Sequence, residues 1–334
     1  MLIRQRRGWE IAEARATPES VFFGRREVMG RAVMGGAVAA ASALAAGPAE
    51  ASWFFSSPKV VMKKLAPMPA PLDKTYAPGR ALTPEMAATT YNNFYEFSTS
   101  KDLWQAAQKL PVSPWNIAVD GLVEKKFTIG LEDLIHKAGL EERLYRHRCV
   151  EAWAMTVPWT GFPLSKLVAL AKPMAGAKYV MFTSLVDRKV MPGLGEAFYP
   201  WPYTEGLTMA EAMNDLAFMV VGMYGHVVPP QDGAAIRLAV PWKYGFKSAK
   251  SIVRVTFTDR QPKTFWQELQ SNEYGFWANV NPAVPHPRWS QARERLIGTN
   301  EMVATQIYNG YGEYVAPLYA AMIKAGVKPT VLYR

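Results

Sequence analysis

Cys149 is the only cysteine in the chain, and it sits in the run Arg146-His147-Arg148-Cys149-Val150-Glu151. A lone cysteine cannot bridge to another within its own chain, so a structural disulfide is the least available role for it. Two chemistries remain. A thiolate is a good donor to a soft metal, and a thiolate favoured by flanking arginines, with His147 two residues away, could act as a nucleophile. Metal ligation leads, because residues i and i+2 of a strand point the same way without being in hydrogen-bond contact.

Two other segments carry more chemistry than a loop needs. Tyr91-Asn92-Asn93-Phe94-Tyr95-Glu96-Phe97 sets amides, a phenol and a carboxylate among aromatics. That composition suits a heteroaromatic ligand rich in hydrogen-bonding groups, and equally suits an aromatic core loop. Pro241-Trp242-Lys243-Tyr244-Gly245-Phe246-Lys247-Ser248-Ala249-Lys250 gathers three lysines with small residues, a candidate cradle for a phosphate. The chain has no Gly-x-Gly-x-x-Gly, no phosphate-loop Gly-Lys-Ser/Thr and no Gly-x-Ser-x-Gly, which argues against nucleotide, nicotinamide and serine-hydrolase chemistry. His136, His147, His226 and His286 are far apart and form no His-x-x-x-His pair, so they read as structural or surface histidines.

Period-two alternation from Leu144 to Val150 predicts a strand with Tyr145, His147 and Cys149 on one face, placing Cys149 where the strand enters a loop. Leu131, Leu134, Ile135 and Ala138 predict a helix that Gly139 ends, and Pro163 opens another bearing Leu164, Leu167, Val168 and Ala171. Thr208 and Glu211 have capping-box spacing. Tyr179–Leu185, Leu216–Met223, Ala235–Val240 and Ser251–Thr258 read as strands, with Asp232-Gly233 as a turn. Strands and short helices mix without a βαβ repeat, so the expected class is α+β, a mixed α/β domain.

Residues 1–51 read as an export signal: Arg25-Arg26, an Ala/Gly-rich stretch from Ala32 to Ala46, and Ala49-Glu50-Ala51 as a cleavage site. Paired arginines point to the twin-arginine route, hence to the periplasm and to a cofactor loaded before export. No later run approaches the roughly 20 apolar residues of a spanning helix. About 280 of the 334 residues remain after cleavage, enough for one large core. The prolines of residues 52–88 predict an extended arm. The net charge of +10 comes from scattered lysines and arginines without a nucleic-acid-binding motif, so no nucleic-acid partner is expected.

Taken together, the segments Asn92–Phe97, Arg148–Trp153, Val157–Leu164, Val240–Lys250 and Tyr274–Pro282 resemble the molybdopterin-binding domain of the sulfite oxidase superfamily, and within it the periplasmic reductases of protein methionine sulfoxide. The matches span roughly residues 88–298. The resemblance implies a catalytic domain over 89–298, followed by a C-terminal extension over 299–334 packed on it, without the immunoglobulin-like dimerisation domain of sulfite oxidases. It implies Mo-molybdopterin as cofactor and Cys149 as the thiolate ligand of molybdenum. Asn92, Tyr95, Glu96, Ser184, Asp232, Arg237, Ser248, Ala249 and Lys250 carry over as contacts to the cofactor. Ser184 stands where threonine is usual and Asp232 where asparagine is usual; the aspartate loses an amide donor and adds charge.

Sulfite-oxidising relatives follow their cysteine with Ala-Gly-Asn and surround the metal with positive charge. Here Glu151 would repel a sulfite dianion, and a neutral sulfoxide fits better. The resemblance therefore implies reduction of methionine sulfoxide in oxidised periplasmic proteins by oxygen-atom transfer to molybdenum, with Glu151 and Asn93 supplying protons and position. Without a Cys-x-x-Cys-His haem site, electrons must come from outside, from an MsrQ-like haem-bearing membrane subunit drawing on quinol. The chain would act as a monomer or as a heterodimer with that subunit. The alternatives are a sulfite dehydrogenase, a reductase of small S- or N-oxides, and a periplasmic binding or scaffold protein with an inert cysteine.

Overall fold

The computed structural model describes residues 62–334, so the export signal expected over residues 1–51 lies outside the described residues. Within them the first strands are β1 (Leu72–Asp73), β2 (Asn116–Gly121), β3 (Phe127–Gly130), β4 (Glu141–Arg148), β5 (Trp153–Pro163), β6 (Tyr179–Ser184) and β7 (Thr204–Thr208). The chain continues through β8 (Phe218–Met223), β9 (His226–Val227), β10 (Arg237–Ala239), β11 (Ile252–Thr258), β12 (Arg293–Leu296) and β13 (Met302–Ala304). The helices are short: α1 (Glu85–Thr89), α2 (Trp104–Ala107), α3 (Leu131–Ala138), α4 (Leu164–Ala171), α5 (Met209–Ala212), α6 (Phe265–Gln270), α7 (Gly312–Lys324) and α8 (Pro329–Leu332). The architecture is a mixed α/β fold of two sheets.

β5 organises the larger sheet. All eleven of its residues are buried, as expected of a strand covered on both faces. It pairs antiparallel with β4 along one edge, from Arg148↔Ala154 to Glu141↔Gly161. Its other edge is shared, with β12 running parallel at Trp153 and Ala154 and β8 antiparallel from Trp159 to Pro163. The register shifts at Gly161, where an added Cβ would lie 2.0 Å from the Met219 carbonyl oxygen. Only glycine admits that approach. The smaller sheet has the order β3-β2-β11-β6-β7, and its Ile117, Val119, Val180, Phe182, Val255 and Phe257 belong to the same core as Tyr145, Val157, Phe162 and Val220 of the larger sheet.

The local signals act where the spacing placed them. α3 runs to Ala138, and Gly139 follows at φ 71°, a left-handed conformation that favours glycine. Thr208 and Glu211 form a complete capping box on α5, the Thr208 hydroxyl accepting from the Glu211 N–H at 3.2 Å and the Glu211 carboxylate accepting from the Thr208 N–H at 2.9 Å. The strand expected over Ala235–Val240 is confined to Arg237–Ala239, the three residues that pair with β8.

The described part of the proline-rich arm is tied to the body by backbone hydrogen bonds. The Met68 N–H donates to the Gly225 carbonyl at 2.8 Å, β1 adds a parallel edge strand to β4, and the Thr83 N–H reaches the Thr156 carbonyl at 2.9 Å. α1 begins directly after Pro84 and crosses residue 88, while the β12–β13 hairpin straddles residue 298. α7 is anchored into the core by Tyr319, whose hydroxyl accepts from the Trp242 indole at 2.7 Å and donates to Glu211 at 2.7 Å.

A buried ion cluster fixes the β4–β5 hairpin. Glu294 on β12 accepts from Arg148 at 2.8 Å through one oxygen and from Arg80 at 2.6 Å through the other. Arg148 is wholly buried and Glu294 nearly so. Removing one partner of such a cluster strands the others in low dielectric. Glu294→Ala is therefore expected to lower the unfolding free energy by about 3–5 kcal/mol, measured by denaturant titration; a change below about 1 kcal/mol would refute the role given to the cluster.

Candidate active site

Cys149 stands at the tip of the β4–β5 hairpin. Its N–H donates to the Trp153 carbonyl at 2.9 Å and its carbonyl accepts from the Ala152 N–H at 3.1 Å, with Ala152 in the left-handed region at φ 62°. This is the turn-plus-bulge geometry of a three-residue hairpin loop. The tip is held from behind by its carbonyls: Arg148 Nη1 donates to the Cys149 oxygen, and Trp289 Nε1 and Gln291 Nε2 donate to the Val150 oxygen at 2.7 and 2.8 Å. Cys149, Val150 and Glu151 line a cavity walled also by Asn92, Tyr95 and Arg237, concave and part polar, part aromatic as a ligand pocket is.

A second element of the wall is the loop from Tyr91 to Lys101. Its ends are closed by the Asn92 N–H donating to the Lys101 carbonyl at 2.9 Å, and the Glu96 carbonyl accepts from the Gly193 N–H at 2.8 Å. Asn92, Asn93, Tyr95 and Glu96 all line the cavity. The third element is the stretch from Asp232 to Lys250. Asp232 ends a 3₁₀ turn, Arg237 opens β10, and Ser248 and Lys250 follow a second 3₁₀ turn; all four reach the cavity wall.

Glu151 is the most constrained side chain at the tip. Its Oε2 accepts from Lys101 Nζ at 2.6 Å, Trp153 Nε1 at 3.0 Å and Asn93 Nδ2 at 3.1 Å, and lies 3.8 Å from Cys149 Sγ. Burial alone would raise its carboxyl; the Lys101 ammonium, Trp153 and Asn93 outweigh burial and hold it below the usual carboxylate range. Glu151 is thus ionised, half of a Lys101–Glu151 pair. Asn93 Nδ2 also donates to Cys149 Sγ at 3.5 Å, as does the Glu151 N–H at 3.5 Å. Burial, and secondarily the Glu151 charge, push the Cys149 thiol up to about 12.

Opposite charges crowd the rest of the cavity. Burial pushes the Asp232 carboxyl up to about 7 and the Arg237 guanidinium down to about 10, each tempered by the other. Burial likewise raises Glu96 and lowers Lys250. His147, read from the sequence as a structural or surface residue, lines the cavity; burial, then Arg237 and Lys250, push it down to about 3, so it is neutral. Its ring fits against Gly245, where a Cβ would come within 2.7 Å.

Two of the expected cofactor contacts are not on the wall. Ser184 ends β6, and its N–H donates at 3.0 Å to the carbonyl of Tyr203, which does line the cavity. Ala249 is buried between Ser248 and Lys250, its carbonyl accepting from the Leu238 N–H at 2.8 Å. The three-lysine cradle also divides. Lys250 faces the cavity and donates to the Asn93 carbonyl at 2.7 Å, but Lys243 and Lys247 are buried ion-pair partners of Glu211 and Glu205, each at 2.5 Å. The sequence reading missed Lys101, and missed Trp153, Trp159, Tyr203 and Trp266 as wall residues. Trp153 and Trp159 were signalled only by lying inside segments that carry the resemblance, and Lys101 by nothing in its spacing.

These residues fit a molybdopterin. Asn92 Oδ1 and Asp232 Oδ2 are buried acceptors without a hydrogen-bond partner in the protein, a state that costs about 1–3 kcal/mol each and that donors on a pterin would relieve. Arg237 and Lys250 are buried cations whose charge an anionic phosphate would restore. Cys149 offers a soft donor whose proton a metal would displace. Among the described residues no three His, Cys, Asp or Glu side chains converge on a common point, so a metal at Cys149 takes its other donors from a bound group.

The fold and this site are those of a molybdopterin-binding oxidoreductase: residues 105–266 match the family model of the oxidoreductase molybdopterin binding domain. The chain is 47% identical over 324 residues to the protein-methionine-sulfoxide reductase catalytic subunit MsrP of Burkholderia mallei, covering 94% of this chain and 95% of that one. It is 46% identical to MsrP of Ralstonia nicotianae, with 95% and 96% covered, and 46% identical to MsrP of Pseudomonas syringae pv. tomato, with 96% and 98% covered. The chain belongs to the MsrP family of catalytic subunits.

The raised Asp232 carboxyl has a signed consequence for stability. Its folded value of about 7 lies above the ordinary 3.8, so the folded state keeps a proton that the unfolded chain releases. That contribution is complete below about pH 4 and is lost as pH rises through about 7. In protein prepared without cofactor, Asp232→Asn is expected to flatten the pH dependence of unfolding free energy between pH 4 and 7 by up to about 1.4 kcal/mol per pH unit. Denaturant titrations across that range measure it, and an unaltered slope would contradict the assignment.

Proposed function

We propose that the chain reduces methionine sulfoxide residues of oxidised proteins to methionine, as the catalytic subunit of a two-component system. The observation that carries this reading is the Lys101–Glu151 pair beside Cys149 Sγ. The closed pair offers no net positive charge to draw in a sulfite dianion, whereas a sulfoxide is neutral and dipolar. Its oxygen can accept from Lys101 or Asn93 without any change in the net charge of the site.

When bound, Mo-molybdopterin supplies the two-electron oxygen-atom chemistry, with Cys149 as thiolate donor and Arg237, Lys250, Asn92 and Asp232 as the residues that would hold it. The chain's own work is positional. Asn93 donates to both Cys149 Sγ and Glu151 and so sets the distance between them. Glu151, ionised and partly exposed, can take a proton from solvent transiently and pass it on at Oε1, Oε2 being engaged by Lys101, Trp153 and Asn93. Lys101 keeps that carboxylate oriented. The aromatic walls of Tyr95, Trp266 and Tyr274 limit water around the reacting group.

The finer assignments rest on the sequence. The twin-arginine signal over residues 1–51 supports a periplasmic location and export of a folded, cofactor-loaded chain. The lack of a Cys-x-x-Cys-His haem site in the sequence supports an external donor, for which an MsrQ-like haem-bearing membrane subunit is the expected partner.

In holoenzyme from a cofactor-competent host, molybdenum should be equimolar with protein, and an oxidised protein should turn over faster than sulfite is oxidised; the reverse order would overturn the reading. Cys149→Ser is expected to abolish turnover. Glu151→Gln should retain molybdenum while lowering kcat by about 10²-fold or more, and a kcat within twofold of wild type would remove Glu151 from the proton path.

A further inference from the structure

Outside the cavity lies a wider, more open space, and Tyr95, Glu151, Trp266 and Tyr274 line both. A group approaching Cys149 from this side passes through it. Two aromatic features outside the cofactor cavity line this vestibule. Trp289 is built in: its ring stacks on His286 at 3.8 Å, the Arg288 guanidinium lies 4.9 Å from its centroid, and its N–H holds the Val150 carbonyl between Cys149 and Glu151. Phe198 is 65% exposed, yet its ring packs 4.1 Å from Tyr199, which stacks in turn on Phe265 at 5.6 Å. Exposed aromatics with rigid backing are the usual anchors of a binding surface.

We propose that this vestibule is the docking groove for an extended polypeptide segment carrying the methionine sulfoxide, with Phe198, Tyr199 and Trp289 as its anchors and Arg288 as a donor to the segment's backbone carbonyls. The proposal rests on the sulfoxide-reductase reading and adds to it how a protein-borne sulfoxide is chosen over a free one. Three observations select this occupant. The groove is continuous with the site through four shared residues. Its lining runs on past the shared residues to Phe198, Tyr199, Arg288 and Trp289, so a small sulfoxide leaves the outer walls wet while neighbouring residues of a peptide cover them. Its walls pair aromatic faces, which suit sulfur and apolar side chains, with the Arg288 guanidinium, which is held by Glu273 through Nη2 at 2.8 Å, keeps further N–H groups for a ligand and has a side chain 55% exposed.

The test compares holoenzyme variants Phe198→Ala and Arg288→Ala, both at exposed positions, on a short peptide with a central methionine sulfoxide and on dimethyl sulfoxide. The ratio of kcat/KM for the peptide to that for dimethyl sulfoxide is expected to fall at least tenfold in Phe198→Ala and at least threefold in Arg288→Ala, through the peptide's KM. Proportional changes with both substrates, or none with either, would overturn the groove while leaving the reductase reading intact. A variant with unchanged peptide KM but slowed electron delivery from the membrane donor would assign the surface to that donor and overturn the proposal. Failure of wild-type enzyme to reduce the peptide would instead overturn the protein-substrate reading, and the groove with it.

Discussion

The site depends on a guanidinium that never meets solvent. Arg148 is the last residue of β4, fully buried, and it bonds forward to the Cys149 carbonyl, sideways to Glu294 on β12, and to Gln291. An unpaired charge at that depth would cost several kcal/mol, so the hairpin tip and β12 must be placed together. With the Cys149 and Val150 carbonyls satisfied from behind, the turn presents its thiol and carboxylate to the cavity. The eleven-residue buried strand β5 gives that turn a rigid stem. Ala152 holds a left-handed conformation that costs an alanine about 1 kcal/mol, which the carbonyl contacts on either side of Glu151 sustain.

The cavity collects charges that the fold alone does not satisfy. Asp232, Glu96, Arg237 and Lys250 are each pushed toward neutrality by burial. By contrast, the equally buried Lys243–Glu211 pair is closed: Lys243 also donates to the Trp277 carbonyl and to Asn279 Oδ1, and Glu211 also accepts from the Tyr319 hydroxyl. The difference separates framework from binding site. A closed pair has no remaining demand, while orphan acceptors and weakened cations facing a common space are stabilised only when a ligand with donors and negative charge enters.

Much of the scaffold was legible because it is written in local physics. The period of β4, the stop at Gly139 and the capping box at Thr208 depend on residues within a few positions of one another. The arrangement around Cys149 was legible only in part. Cys149 and Glu151 are neighbours in sequence, and the Asn-Asn-Phe-Tyr-Glu run came through resemblance. Lys101 has no periodic or motif signal; it reaches Glu151 because the loop folds back to bring its carbonyl onto the Asn92 N–H. His147 was set aside as structural because a lone histidine is ambiguous, and only the glycine at 245 makes room for its ring at the cavity. Lys243 and Lys247 looked like Lys250 in sequence, since charge type is visible there and burial with a distant glutamate is not.

Glu151 makes the two spaces one functional unit. With Tyr95, Trp266 and Tyr274 it lines both the cavity around Cys149 and the open vestibule, and of the four it alone carries a charge, fixed by Lys101. An ionised carboxylate at that boundary could not be sustained by burial alone, which raises it. Lys101 is therefore as much a part of the site as the cysteine, since it sets the net charge near zero where the substrate must pass. A neutral sulfoxide crosses that boundary without the desolvation cost a dianion would meet. Specificity for charge then lies in the Lys101–Glu151 pair, leaving the aromatic walls farther out to choose among neutral substrates by what surrounds the sulfoxide.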